Sequence, residues 1–332
     1  MFLHNLPVEL IHSVAQFLEP GALAAIAQSC SSLCHVAQRL LYRHVSVSAW
    51  SRNLGVVLLL ARKPDVARFV RSFHITIDSL SPLFHAFYRL LATAILNMTD
   101  LHSLNLLVDA SASWILKEAC SRASYSYMVQ FTCTFPFDDN VVDFLQRTPS
   151  LLQLEVDAIP TMLAQSPPAT ALPKIFIPHL EQFTGSSRVA RLIVPGRPVK
   201  SIHLSGGSLS DDDIPLLAHS STPVVVLGAV TNTAPVPFLE LLHRYLPHLA
   251  YLRVMSTQDM FTAPTAEFYE RVATVLASFS ELNAFELSGM HWGSQQKSQD
   301  DGPKRVWQSS PLSSRTHPDD ELLFETEIFL AN

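Results

Sequence analysis

A chain of 332 residues, 48% of them hydrophobic, is long enough for two domains or one elongated array. A net charge of −6, only 16% charged residues and no long basic run exclude the electrostatic footprint of a nucleic-acid binder. The longest apolar run, Leu54 to Ala61, falls far short of the roughly 20 residues a membrane helix needs, so no membrane partner is expected.

The 22 prolines against 10 glycines predict stiff breaks between elements rather than flexible linkers. Cys30, Cys34, Cys120 and Cys133 follow a start without a basic leader. Reduced thiols in an intracellular protein, cytoplasmic or nuclear, are expected from that usage.

The first elements read as three short helices. Pro7 suits the opening of a helix, where its missing N–H is not needed, and Glu9 sits near the positive end of the dipole. Leu10, Ile11, Val14, Phe17 and Leu18 follow at helical spacing. Pro20-Gly21 interrupts the pattern. Leu23, Ile26 and Ala27 mark a second helix, and Leu33, Val36, Ala37, Leu40 and Leu41 a third. Val45 and Val47 then alternate as an edge strand would. A bundle of about 40 residues rarely buries enough core alone, so this segment should lean on a partner, on the remaining chain, or on both. A three-helix cap on a larger domain is the plainer alternative.

As an ensemble, LPVELI, FLEP, SCSSL and LLYRHVSV between Leu6 and Val47 resemble the F-box, in particular fungal F-boxes whose third helix ends in a similar phrase. The segment is assigned residues 4–47. The resemblance implies docking onto a Skp-family adaptor that is held by a cullin–RING ubiquitin ligase, with the remaining chain choosing a protein substrate. Carried over, the candidate adaptor contacts are Leu6, Pro7, Glu9, Leu10, Ile11, Val14, Phe17, Leu18, Leu23 and Ile26. An apolar helical face laid into a groove is a common recognition mode. Some of these side chains must instead form the segment's own core, and the pattern does not sort them.

Residues 48–69 read as a connecting helix, Leu54 to Arg62, and a linker broken at Pro64. From 70 to 292 a pattern recurs: apolar, two variable, apolar, one variable, apolar. It fits Val70/Phe73/Ile75, Leu101/Leu104/Leu106, Leu151/Leu154/Val156, Val199/Ile202/Leu204, Leu249/Leu252/Val254 and Leu282/Phe285/Leu287. Weaker copies fall at Ser126/Val129/Phe131, Leu180/Phe183/Gly185 and Val224/Leu227/Ala229. Leucine-rich repeats have this pattern and a period of about 20–29 residues, and Asp78 and Asp109 stand where the repeat's asparagine usually falls. Helical spacing fills Leu83 to Met98, Val141 to Gln146, Asp213 to His219, Phe238 to Tyr245 and Thr265 to Phe279. The expected fold is α+β, an α-β solenoid: a three-helix F-box, then an irregular leucine-rich-repeat arc of parallel strands and outer helices. A doubly wound α/β enzyme is the alternative.

In that register the middle position of each unit points outward. The row is His74, Asn105, Gln130, Glu155, Thr184, His203, Gly228, Arg253 and Glu286, flanked by Ser72, Ser103, Gln153, Tyr251, Asp157 and Met255. Candidate substrate contacts are His74, Asn105, Gln130, Glu155, His203, Tyr251 and Arg253, with Tyr251 and Arg253 favoured because aromatics and arginine are enriched at hot spots. Residues 293–320, rich in serine, glutamine, proline and charge, read as a disordered loop that Trp292 and Trp307 pin to the last repeat; 321–332 reads as a possible cap.

No catalytic site, metal or cofactor is expected. H-E-x-x-H, G-x-S-x-G, G-x-G-x-x-G and the P-loop are all missing, and Cys30, Cys34 and His35 lack a second ligand pair nearby. The expected role is that of a non-catalytic, substrate-recruiting ligase subunit. A repeat scaffold without a part in degradation and, more remotely, a hydrolase on an α/β domain are the competing readings.

Overall fold

The computed structural model describes residues 7–77, 84–120, 123–156, 172, 176–257, 265–299 and 302–310. The chain divides into two compact units, Met1–Val224 and Val225–Asn332.

The first unit opens with α1 (Val8–Ala15), α2 (Pro20–Ser29) and α3 (Ser31–Leu41). Pro7 precedes α1 in an extended conformation, and Pro20 begins α2 at a position where no N–H is required. Ile11, Ala15, Leu23, Leu33, Val36 and Ala37 form a small core, with Leu18, Ile26, Ala27, Cys30, Leu40 and Leu41 packed around it. The chain then enters β1 (His44–Ser48), α4 (Gly55–Arg62), α5 (Pro64–Ala67) and β2 (Ser72–Thr76). Next come α6 (His85–Asn97), β3 (Ser103–Leu107), α7 (Trp114–Ala119) and β4 (Gln130–Cys133). The unit closes with α8 (Asp139–Leu145), β5 (Gln153–Glu155), β6 (Gln182–Ser186), α9 (Ser187–Ile193), β7 (Ser201–Gly206) and α10 (Ile214–Leu217).

Strands β1 to β7 lie side by side in sequence order, each parallel to the next. Helices supply the crossovers that parallel neighbours require, save between β5 and β6, where most of the connection lies outside the described residues. Asn97 donates its side-chain amide to the carbonyls of Leu60 (3.1 Å) and Ala61 (3.0 Å), so α6 satisfies the last turn of α4.

A repeated backbone contact sets the register. The carbonyl of Arg43 accepts N–H bonds from Arg71 (2.8 Å) and Ser72 (3.0 Å). The carbonyl of Arg71 accepts from His102 (2.7 Å) and Ser103 (3.1 Å), and that of His102 from Val129 (2.8 Å) and Gln130 (3.1 Å). Val129, Leu152 and Glu181 continue the series, each carbonyl accepting from two consecutive N–H groups of the next strand's entry. Beyond this step the inward side chains stack: Phe73, Leu104, Phe131, Leu154, Phe183 and Ile202 occupy one buried row. Ile75, Leu106 and Cys133 occupy a second.

This register corrects one unit of the sequence reading. The inward residues of β4 are Met128, Phe131 and Cys133, two places beyond the expected Ser126/Val129/Phe131. Gln130 is partnered with Ser103 and Gln153, a flanking row, and Thr132 takes the central place between Asn105 and Glu155. Three helices had no counterpart in the reading: α5, where a linker broken at Pro64 is expected, α7 and α9. Asp109 accepts an N–H bond from Ser111 (2.8 Å) and caps a short 3₁₀ turn; Asp78 lies outside the described residues.

The second unit contains β8 (Val226–Thr231), α11 (Pro235–Tyr245), β9 (Tyr251–Ser256), α12 (Ala266–Ser278) and β10 (Ala284–Leu287). β8, β9 and β10 are parallel. The doubled carbonyl recurs at Val225, for Ala250 and Tyr251, and at Ala250, for Asn283 and Ala284. The chain then reverses. Ser288 (φ 47) and Gly289 (φ 83) both take left-handed backbone, the geometry of a tight hairpin. β11 (Met290–Gln299) pairs antiparallel with β10, and β12 (Gly302–Ser310) antiparallel with β11. Residues expected as a disordered loop from 293 therefore form a hairpin as far as 310, because backbone pairing does not need an apolar face. Trp292 and Trp307 are buried in this unit, and Trp292 lies against Tyr269 (ring centroids 5.6 Å apart) and Phe285 (6.3 Å). The remaining loop, 311–320, and the possible cap at 321–332 lie outside the described residues.

Two buried positions carry tests. Gly185 takes an inward place in β6, and a Cβ there would meet the Val156 carbonyl oxygen at 2.6 Å and Phe183 Cζ at 2.8 Å. Gly185→Ala is expected to lower stability by about 1–3 kcal/mol, through overpacking, in urea denaturation. Burial pushes the Cys120 thiol up from 9.0 to about 11, and likewise raises the neighbouring Tyr125 phenol, whose hydroxyl donates to the Ile95 carbonyl (3.1 Å). The unfolded chain therefore ionises at Cys120 first, and stability should fall as pH rises from about 9 to about 11. Cys120→Ser should flatten that part of the profile.

Candidate interaction surfaces

The first surface lies on α1 and the turn after it. Burial divides the candidate adaptor contacts into two sets. Ile11 and Leu23 are 7% and 6% exposed and belong to the bundle's interior. Leu18 and Ile26 are half-buried against that core. Leu10, Val14 and Phe17 are 53%, 58% and 83% exposed. Their i, i+4, i+7 spacing puts them along one line of the helix and its extension. Val8 is also exposed, and Pro7 and Glu9 border the patch. Leu6 lies outside the described residues. Scattered apolar side chains on a surface need no explanation, but a row at helical spacing marks an interaction face.

The second surface is the outward face of the strands. In the first unit its central row runs Ser46, His74, Asn105, Thr132, Glu155, Thr184 and His203. Side chains along it already bond to one another. His74 Nε2 lies 2.8 Å from Thr76 Oγ1, and Thr132 Oγ1 donates to Glu155 Oε2 at 3.3 Å. On the flanking row Ser103 Oγ donates to Gln130 Oε1 at 3.1 Å. The Oδ1 of Asn105 is buried and accepts no bond among the described residues. A buried acceptor left so is costly unless something meets it.

In the second unit the same row holds Gly228, Arg253, Glu286 and His291. Arg253 Nε pairs with Glu286 Oε1 at 3.3 Å, across an exposed guanidinium and a nearly buried carboxylate. Tyr251 is half-buried on the flanking row, Met255 is exposed, and Asp157 lies outside the described residues. Gly228, opposite Arg253, is buried and offers no side chain.

A third feature escaped the sequence reading. Arg39, Arg43, Arg71, His102 and Tyr127 line a cavity of about 460 Å³ where α3 meets the entries to β2, β3 and β4. These residues are scattered in sequence, and no local motif announces them. Cys30 and Cys34 are half-buried and take part in no disulfide. Among the described residues no group of three or more His, Cys, Asp or Glu could hold a metal ion, and no helix is long and apolar enough to cross a membrane.

Comparison with known families fits the first surface. Residues 3–48 match the family model F-box-like. The chain thus carries an F-box-like domain, of the class that binds Skp-type adaptors, and this suggests an adaptor-type role in a ubiquitin ligase. No curated protein matches the chain. The matched segment ends at the last residue of β1, so it includes the first strand of the sheet as well as the three helices.

The two apolar sets should separate in stability measurements. Leu23→Ala is expected to lower unfolding stability by about 2–5 kcal/mol, through loss of buried contacts and the cavity left behind. Phe17→Ala should change it by less than about 0.5 kcal/mol. Chemical denaturation of both variants tests the assignment.

Proposed function

We propose that this chain is the substrate-recognition subunit of a cullin–RING ubiquitin ligase, cytoplasmic or nuclear. The observation that carries the reading is an F-box-like domain whose first helix leaves Leu10, Val14 and Phe17 exposed in a row. In this reading those side chains, with Pro7 and Glu9 beside them and Leu6 ahead of them, enter a groove of a Skp-family adaptor. Ile11 and Leu23 hold the helices in the docking arrangement from behind. The strands that follow act as an irregular leucine-rich-repeat array. Their outward row, from His74 to His203 and again at Tyr251 and Arg253, meets a protein substrate.

The mechanism is positional and needs no catalytic group in this chain. Holding a substrate lysine near the ubiquitin-loaded enzyme raises its effective concentration, and linkage alone can supply a large rate gain. The parallel register supports the role, because it holds each unit's outward residue against its neighbour's. An arginine or tyrosine in such a row carries more binding energy than the serines and threonines between.

The test is affinity purification from proteasome-inhibited cells. The wild-type chain should recover a Skp-family adaptor. The variant Leu10→Ala, Val14→Ala, Phe17→Ala should lose more than tenfold of it, since one central anchor is worth about 2 kcal/mol. A folded chain that recovers no adaptor would overturn the proposal. Adaptor recovery with unchanged turnover of every co-purified protein would favour a scaffold over a degradation role.

A further inference from the structure

The cavity between the F-box-like helices and the first strands has an unusual charge balance. It is lined by three arginines, Arg39, Arg43 and Arg71, and by one carboxylate, Asp100. That carboxylate is already engaged. Arg71 pairs with it at 3.2 Å and also donates to the Asp100 backbone carbonyl at 2.9 Å. Among the described residues neither Arg39 nor Arg43 has a carboxylate partner. Both are exposed to the cavity's solvent, in a chain whose net charge is −6. The field of the whole protein therefore repels anions, and any attraction must be local to this concave site, where charges of one sign reinforce each other.

Part of the lining is aromatic. Tyr127 is stacked on His102, with ring centroids 5.8 Å apart and an interplanar angle of 12°. His102 Nδ1 lies 2.9 Å from the Asp100 carbonyl oxygen, which can only accept, so Nδ1 carries the proton and the ring is held in place. The backbone fixes the rest. Arg43, Arg71 and His102 are consecutive members of the doubled-carbonyl series, so their spacing is set by hydrogen bonds of 2.7–3.1 Å. The cavity of about 460 Å³ is of the size that takes small ligands.

We propose that this cavity is a binding site for a phosphoryl group, held by Arg39 and Arg43 with Arg71 positioned beside them by Asp100. A monovalent acid would merely repeat what Asp100 already does for Arg71. Two further guanidiniums without counter-ions call for a group with at least two negative charges, and their planar donors match phosphoryl oxygens in pairs. Because the walls come from α1 at His12, from α3, from the turn after it and from three strand entries, the bound group would tie the F-box-like helices to the sheet. The phosphoryl group can belong to a free small molecule or to a phosphorylated side chain of a bound protein. The proposal goes beyond adaptor docking and does not depend on it, since Leu10, Val14 and Phe17 line no part of the cavity.

The experiment is calorimetric titration of the full chain with two probes, sodium pyrophosphate and a short phosphoserine peptide with its unphosphorylated control. Saturable binding of at least one probe is expected, with a Kd of roughly a millimolar or tighter. Arg39→Gln with Arg43→Gln should weaken it by about tenfold or more, and Arg271→Gln, at an exposed arginine of α12 that does not line the cavity, should leave it unchanged. Raising sodium chloride from about 50 to about 500 mM should weaken binding to the wild type, which keeps the test informative if the double variant folds poorly. Pyrophosphate binding with a silent peptide assigns a small-molecule ligand; peptide binding that needs the phosphate assigns a phosphorylated protein. No saturable binding of either probe, binding indifferent to salt, or binding unchanged in a folded double variant would overturn the proposal. Adaptor recovery is read separately, so loss of one result leaves the other standing.

Discussion

The backbone step in which one carbonyl serves two N–H groups of the next strand's entry governs the first unit. It recurs from Arg43 to Glu181, and it is independent of side-chain identity. Each step fixes where the following strand begins. The inward stack of Phe73, Leu104, Phe131, Leu154, Phe183 and Ile202 then follows from strand alternation alone. A slip of one residue would turn that row to solvent, so apolar burial and the carbonyl series enforce the same register. The units vary in length because the crossovers are free to vary once both ends are held.

This explains which parts of the fold were legible beforehand. Where leucine, isoleucine or phenylalanine fills the inward places, as at Leu101/Leu104/Leu106, the pattern reads directly. In β4 the third inward residue is Cys133, and Val129 offers an apolar decoy two places before the true middle residue, Phe131. Backbone pairing decided between them. The hairpin after residue 290 was unreadable for a different reason. Between Trp292 and Trp307 its strands are mostly serine, glutamine, lysine and arginine, which carry no sustained alternation; the local signal for a reversal was Ser288-Gly289 as a tight turn. In the F-box-like segment the elements were legible but their two faces were not. Ile11 and Leu10 are neighbours of equal hydrophobicity, and only the packing of three helices makes one a core residue and the other a surface one.

The arginine-lined cavity shows how a backbone regularity can generate a site. Arg43, Arg71 and His102 stand about 30 residues apart in sequence, yet they occupy equivalent places in successive strands, as the shared hydrogen-bond pattern shows. Repetition of structure brings side chains of similar character together without any motif in the chain. Arg39 joins them from the last turn of α3, one helical turn before Arg43. The same short connection that delivers the bundle into β1 thus delivers its positive charge to the strand entries.

The reversal at Ser288-Gly289 has a consequence for how such chains meet one another. A parallel array exposes at its end the same slanted hydrogen-bonding pattern that joins its own units, so identical copies could add head to tail without limit. Here the run of parallel strands stops at β10, and β11 and β12 substitute an antiparallel pattern with a different spacing of donors and acceptors. Pro303 removes one donor from β12 outright, as edge strands tolerate and central ones do not. Among the described residues the hairpin thus ends the parallel run, and β12 offers a neighbouring strand an antiparallel pattern in place of the slanted one.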